Sequence, residues 1–288
     1  MTRLEAKNIS FSYNGKPVIA DINFTANQGE AWAIIGRNGA GKSTLLKCLC
    51  GLLRCHQGTV SVNNIHIVKL TPRETAVQIA YVPQGTNRPV PPFTVREYVL
   101  MARYPYTKMG EMSSRKDNNA VDEALALTDT EHLAGRMMGA LSGGEFQSAL
   151  IAGAAAQETP ILLLDEPTAH LDPRHQEEIR RMIVRLHERR GTTVITVTHD
   201  VNFALAAHNN ILALIGGRVF FRGTKDSFCG GAADNLPKIF SAGFSEAVCP
   251  DKTKFFFVTG RSASSIDGIL PAAVPEDENT PLKTEESL

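Results

Sequence analysis

Two hydrophobic rhythms alternate along the chain. Leu4–Ile9, Val18–Phe24 and Ala31–Ile35 are short runs rich in β-branched and aromatic residues, with turn signals at Asn14-Gly15 and Gln28-Gly29 between them, so three strands are predicted. A helix is expected from about Lys42 to Leu53, and Thr59–Ile67 and Ile79–Val82 read as further strands. The character changes over residues 85–140. After a proline-rich loop at Asn87–Pro92, Thr94 with Glu97 forms a capping box, and Val95, Tyr98, Val99 and Ala102 recur at helical spacing until Tyr104-Pro105. A polar stretch, Lys108–Asn119, precedes a second helical pattern at Ala120–Leu127.

Ile161–Leu164 is a bare apolar run, the mark of a strand buried on both faces. Asp172 as N-cap and Pro173 at the first helical position start a helix that Gly191 stops, with Ile179, Met182, Ile183 and Leu186 on one side. Thr192–Thr198 then completes a βαβ unit, whose crossover should be right-handed. Ile211–Leu214 and Arg218–Phe221 flank Gly216-Gly217 as a hairpin. Beyond Gly223 a short helix at Leu236–Phe244 and a strand at Lys254–Val258 are expected, and residues 261–288, acidic and poor in apolar side chains, read as a disordered tail.

Composition narrows this picture. Lys+Arg and Asp+Glu both number 30 in 288 residues, so no basic excess marks nucleic acid as a partner. The five cysteines lack C-x-x-C spacing and suit a reducing compartment. Cys48, Cys50 and Cys55 invite a metal reading, but the first two fall on the helix expected after Lys42, where small apolar side chains pack. No apolar run approaches bilayer-spanning length, and the first residues carry no leader-like apolar stretch. Any membrane domain is therefore expected on a separate polypeptide.

Chemistry enters at Gly36-Arg37-Asn38-Gly39-Ala40-Gly41-Lys42-Ser43, which fits G-x-x-x-x-G-K-[ST] between a predicted strand and a predicted helix. Glycines let backbone N–H groups converge on phosphate oxygens, and the helix N-terminus adds favourable partial charge. Lys42 is expected to reach the β- and γ-phosphates and Ser43 to ligate Mg²⁺, with Thr44 completing the nucleotide-binding set. Asp165-Glu166 ends the apolar strand. Taken alone, two adjacent acids fit a solvated turn; beside a phosphate loop, Asp165 is expected to hold Mg²⁺ and Glu166 to orient or deprotonate the attacking water. Leu141-Ser142-Gly143-Gly144-Glu145 puts a hydroxyl and two glycine N–H groups at a helix start, a second anion cradle, although a ligand-free N-cap is the plainer reading.

These three segments together resemble the nucleotide-binding subunit of ATP-binding cassette (ABC) transporters, over residues 1–225. The resemblance implies an α/β P-loop cassette with a mostly parallel sheet, an N-terminal antiparallel β layer and a helical subdomain inserted at about 86–158, then a small extension at 226–260. It implies ATP and Mg²⁺ as cofactors. It carries over His199, at the end of strand Thr193–Thr198, as the contact to γ-phosphate and water, and Gln84, after Tyr81-Val82-Pro83, as a contact to Mg²⁺ or water. Tyr13 matches the aromatic that stacks on adenine, and Asp172 belongs to the loop Ala169-His170-Leu171-Asp172. Ser142, Gly143 and Gly144, with Leu141 and Glu145, would serve the γ-phosphate held by a second copy, so that the site is complete only in a head-to-tail dimer. The chain departs from the pattern at Ser148, where most relatives carry an arginine; no group of the chemistry is removed.

The segment Phe93–Pro105 is similar to that of iron–siderophore, haem and cobalamin importers, with Ala102 where a glycine is usual. Glu145-Phe146-Gln147 and Asp200–Ala204 lean the same way. The resemblance implies uptake of a metal chelate through transmembrane permease subunits, fed by a substrate-binding protein, with this chain on the cytoplasmic face of the cell membrane. A manganese or zinc importer is the alternative. An ABC ATPase acting on DNA or the ribosome would bring long coiled coils, zinc motifs or a second cassette; the chain has one cassette and no heptad run.

Overall fold

In the computed structural model β1 (Arg3–Tyr13) and β2 (Lys16–Asn27) form a hairpin across Asn14-Gly15, both at positive φ, as a tight hairpin turn demands. The structure describes residues 2–85, 92–107, 113–249 and 253–260; the proline-rich run 87–91, positions 108–112 of the polar stretch and the acidic tail lie outside the described residues. β3 (Ala31–Ile35) leaves the first layer and leads through the glycine-rich loop into α1 (Lys42–Leu49). This helix stops short of the expected Leu53 because Gly51 turns left-handed (φ 75°). β4 (Gln57–Val62) and β5 (Ile65–His66) return to the first layer, in the order β2-β1-β4-β5. The single strand expected over Thr59–Ile67 is thus two. Asn63 (φ 52°) and Asn64 (φ 64°) are both left-handed and reverse the chain.

The second sheet is built from β3, β6 (Ile79–Val82), β7 (Ile161–Asp165), β8 (Thr193–Thr198), β9 (Asn210–Ile215) and β10 (Arg218–Thr224). Its order is β10-β9-β3-β8-β7-β6, and every neighbouring pair is parallel except the β9–β10 hairpin. A short α2 (Pro72–Ala76), capped reciprocally by Thr71 and Glu74, precedes β6 and was not anticipated. Between β6 and β7 come α3 (Val95–Met101), α4 (Arg115–Leu127) and α5 (Gly143–Ala156), opened by capping boxes at Thr94, Ser114 and Ser142. α6 (Pro173–Arg190) makes the crossover from β7 to β8, capped by Asp172 and closed by left-handed Gly191. α7 (Val201–Ala207) connects β8 to β9. It escaped the sequence reading because seven nearly all-apolar residues show no helical face.

Alternation along the central strands feeds separate cores. Ile161 and Leu163 of β7 face α1 and the antiparallel layer, whereas Leu162 and Leu164 face α3, α5 and α6. Ala33 and Ile35 of β3 face a third cluster, with α7, α8 (Lys225–Gly230) and α9 (Ala232–Phe240). Each aliphatic side chain so buried contributes on the order of 1.5–3 kcal/mol. The helix expected at Leu236–Phe244 starts earlier and ends at Phe240, because Ser241 is left-handed (φ 53°) and Gly243 opens β11 (Gly243–Val248), which pairs with β12 (Lys254–Gly260). His208 is buried and neutral: Nδ1 donates to the Ala204 carbonyl, Nε2 accepts from Thr196, and burial pushes its pKa down to about 4. Among the described residues no helix is long and apolar enough to cross a membrane.

The helices between β6 and β7 are pinned by one charge. Arg103, only 1% exposed, pairs with Asp117 (3.1 Å) and Glu158 (2.7 Å) and donates to the Ala156 carbonyl, joining the end of α3 to α4 and α5. Removing one member of a buried pair strands the other, so Arg103→Ala should cost about 3–5 kcal/mol, read as a lowered urea midpoint. A change below about 1 kcal/mol would mean that the pair adds no net stability.

Candidate active site

The parallel strands end on one side of the sheet, and that end carries the charged residues. Lys42 opens α1 and is 4% exposed; its Nζ donates to the carbonyls of Gly36 (2.9 Å) and Arg37 (3.1 Å). The glycine-rich loop is thus folded around its own lysine. Gly41 permits this twice over. Its φ is 90°, and a Cβ there would lie 2.7 Å from Ile19 Cγ2 and 2.8 Å from the Val18 carbonyl oxygen. Burial pushes the Lys42 pKa down, and the nearby Glu166 and Asp165 carboxylates oppose that shift.

Asp165, at the end of β7, accepts from Ser43 Oγ (2.7 Å) and from Tyr81 OH (3.2 Å). Burial raises its pKa despite these two bonds. Glu166 follows in a left-handed conformation (φ 48°), fixed by its N–H donating to the Val197 carbonyl of β8. Its carboxylate is where the site converges. Gln84 Nε2 donates to Oε2 (3.2 Å), His199 Nδ1 lies 3.2 Å from the same oxygen, and Lys42 Nζ lies 3.7 Å from Oε1. Edge strand β6, β7, β8 and the phosphate loop each supply one of these groups. A cleft of about 440 Å³ opens beside them, lined by Asn38, Gly39, Gly41, Lys42, Ser43, Thr44, Gln84, Glu166 and His199.

Other residues singled out in the sequence stand apart from this cleft. Tyr13 ends β1, 45% exposed, its ring edge-on to Phe11 at 4.8 Å. Leu141–Glu145 lies at the start of α5, where Ser142 Oγ accepts from the Glu145 N–H and Glu145 is paired to Arg136 (2.6 Å). Gly143 lines a neighbouring cleft of about 350 Å³ with Gln84, Glu166 and His170. Asp172 caps α6 and holds His175 Nδ1 at 2.6 Å; the His175 ring packs so closely on Gly144 that a Cβ there would collide with it.

Sequence reasoning passed over three residues here. His170 lines both clefts from a left-handed conformation (φ 62°), and neither its type nor its spacing signalled that. Tyr81 was read as part of a strand, yet its hydroxyl holds Asp165. Gln147, buried with Nε2 unpaired among the described residues, lines the smaller cleft.

The raised pKa of Asp165 has a stability consequence. A carboxyl whose folded pKa lies above its unfolded value binds protons better when folded, so its cost is present at neutral pH and vanishes as pH falls. Asp165→Asn removes that charge while keeping an acceptor for Ser43. The nucleotide-free variant should therefore melt above wild type at pH 7, and the difference should shrink in acid. A variant melting below wild type at pH 7 would assign the carboxylate a net stabilising role.

Comparison with known proteins agrees with this architecture. The profile of the family described as ABC transporter matches residues 19–169. The petrobactin import ATP-binding protein FpuD of Bacillus anthracis is 39% identical over 220 residues, 76% of this chain and 80% of that protein. The hemin import ATP-binding protein HmuV of Streptomyces coelicolor is 40% identical over 205 residues, 71% of this chain and 72% of that protein. Among solved structures, an inward-facing metal-chelate type ABC transporter superposes with a TM-score of 0.77 at 30% identity, over 90% of this chain and 97% of that one. A bacterial ABC transporter cassette in dimeric form superposes with a TM-score of 0.68 at 29% identity, over 77% of this chain and 98% of that one. With the family profile spanning the phosphate loop and the acidic strand end, and relatives aligned over most of its length, this chain belongs to the ABC transporter family as an ATP-binding subunit that hydrolyses ATP for transport.

Proposed function

We propose that the chain powers import of a metal chelate, an iron–siderophore, haem or cobalamin complex, through separate permease subunits at the cytoplasmic face of the cell membrane. Its kinship to import subunits for petrobactin and hemin supports the cargo class. The observation carrying the chemical half is the Glu166 carboxylate, held by Gln84 and His199 and 3.7 Å from the Lys42 amine.

In this reading the triphosphate lies along Gly36–Thr44, with Arg37 and Asn38 contributing backbone N–H groups and Ala40, whose N–H donates to the Arg37 carbonyl, closing the loop. Lys42 exchanges its two carbonyl acceptors for phosphate oxygens, and Tyr13 stacks on adenine. The residues suit Mg²⁺: Ser43 Oγ and Asp165 converge within 2.7 Å at the loop mouth, and the Gln84 amide supplies a third oxygen. Hard oxygen donors with a single carboxylate, completed by substrate phosphates, are what that ion takes. When bound, it neutralises charge on the phosphate oxygens. Glu166 orients the attacking water and accepts its proton, while His199 holds the γ-phosphate side of the cleft. Ser142, Gly143 and Gly144 do not line their own chain's main cleft, and they serve that of a second copy, with Leu141, Glu145 and Asp172 shaping the contact.

Glu166→Gln keeps the shape of the side chain and removes its basicity. It should bind MgATP like wild type and release phosphate roughly 10²–10⁴-fold more slowly, whereas Lys42→Ala should weaken binding itself. Fluorescent-nucleotide binding and phosphate release separate the two; near-normal turnover by Glu166→Gln would move the base elsewhere.

The cargo is tested in a deletion strain given labelled ferric siderophore, haem and cobalamin, with manganese and zinc as controls. Loss of uptake of at least one chelate is the expected result. Retained uptake of all three with lost manganese or zinc uptake would favour the free-metal importer.

A further inference from the structure

We propose that residues 225–249 and 253–260 form a brace that sets the phosphate loop and the His199 strand end in register, with Ser241 on the brace and Asn202 on α7 as positioning residues. The unit packs by Phe228, Leu236, Ile239 and Phe256 onto Ile35, which leads into the loop, and onto Ala204 of α7. That burial fixes where the unit sits; two polar contacts then aim it at the site.

The first contact reaches the phosphate loop. Arg37 Nη1 donates to Ser241 Oγ at 3.0 Å, although the residues are 204 positions apart. Ser241 sits just past α9 in a left-handed conformation (φ 53°), which a non-glycine residue adopts only where its surroundings require it. The carbonyl of the same Arg37 accepts from Lys42 Nζ at 3.1 Å. A chain of contacts therefore runs from Ser241 through Arg37 to the lysine.

The second contact reaches the other side of the cleft. Asn202 lies in the first turn of α7, three positions after His199. Its Nδ2 donates to the Phe256 carbonyl and its Oδ1 accepts from the Phe256 N–H, both at 2.9 Å. An amide spanning both polar groups of one backbone residue fixes α7 against β12 in translation and in rotation. α7 is capped by Asp200, whose N–H donates to Thr198 Oγ1, so its placement governs how the chain leaves β8 at His199. Ser241 thus acts on the ground-state cradle and Asn202 on the group facing the reacting phosphate. Neither lines the main cleft.

The proposal rests on the assignment of ATP hydrolysis to this cleft. Full-length Ser241→Ala, Ser241→Thr and Asn202→Ala proteins would be compared with wild type by MgATP hydrolysis kinetics, thermal unfolding and hydrogen–deuterium exchange. Ser241→Ala should raise KM roughly threefold to tenfold, the worth of about one hydrogen bond, with kcat little changed, and Ser241→Thr, which keeps the hydroxyl, should restore it. Asn202→Ala should lower kcat by a similar factor with KM nearly unchanged, and should speed exchange across residues 199–207 before the rest of the chain. Wild-type kinetics in Ser241→Ala, or KM and kcat moving together only as folded protein is lost, would overturn the brace. If Asn202→Ala fails to fold, the Ser241 pair decides alone. Should wild type hydrolyse no ATP, the nucleotide reading falls, and exchange still judges the brace: unchanged protection of residues 36–44 in Ser241→Ala would sink it.

Discussion

An ammonium and a carboxylate are held out of water at the end of an apolar sheet, with a second carboxylate at the mouth of a cleft beside them, and this constraint organises the rest of the molecule. Lys42 is nearly inaccessible, Asp165 is buried, and Glu166 is turned back by a left-handed backbone. Charges so placed are tolerable only with partners on every side. Carbonyls of the phosphate loop, the Ser43 and Tyr81 hydroxyls, Gln84 and His199 supply them. Those partners come from different strands, so the sheet order cannot be altered without exposing one of the charges to an apolar wall. The strands in turn depend on alternation, one set of side chains facing the antiparallel layer and the other the helices.

How legible this was depended on whether a feature is written in local residue chemistry. Strands β3 and β7 were readable because they are apolar and run into glycine or acidic residues, β6 because its apolar run meets Pro83, and β8 because it is β-branched throughout and follows Gly191. The capping boxes at Thr94 and the N-cap at Asp172 were readable for the same reason. Left-handed turns that carry no glycine were not. Asn63-Asn64 split a strand and Ser241 ended a helix, and nothing in those side chains demands φ above zero. The site divides along the same line. Lys42, Ser43, Asp165 and Glu166 stand at motif positions that spacing located and Gln84 and His199 at positions that the family resemblance implied, whereas Tyr81 and Arg37 reach their partners, and His170 its cleft, through the tertiary fold, which no local pattern encodes.

The start of α5 shows what a single copy leaves unused. Ser142 spends its hydroxyl as an acceptor for Glu145, and Arg136 ties Glu145 in place, so the loop before the helix is rigid without any ligand. A rigid helix start that stands outside the main cleft carries first-turn N–H groups that no helical carbonyl can satisfy. The ring of His175 against Gly144, and its bond to Asp172, make the starts of α5 and α6 move as one body. Whatever approaches Ser142 from outside is therefore felt at Asp172, six residues beyond Glu166.

The same economy joins the site to the helices between β6 and β7. Gln84 leaves the edge strand β6 with its amide on Glu166, and the chain from that point leads into α3. α3 cannot move alone, because Arg103 at its end is bonded to Asp117, Ala156 and Glu158. Gln157, just after α5, donates back to the carbonyls of Ala76 and Ile79 beside β6. Glu166 is thus bonded through Gln84 to the end of β6, and Gln157 fastens the helices to the start of the same strand. Tyr104 and Met101 are exposed on that helical body. The buried Arg103 network, joining the end of α3 to α4 and to the end of α5, supplies the stiffness of that body.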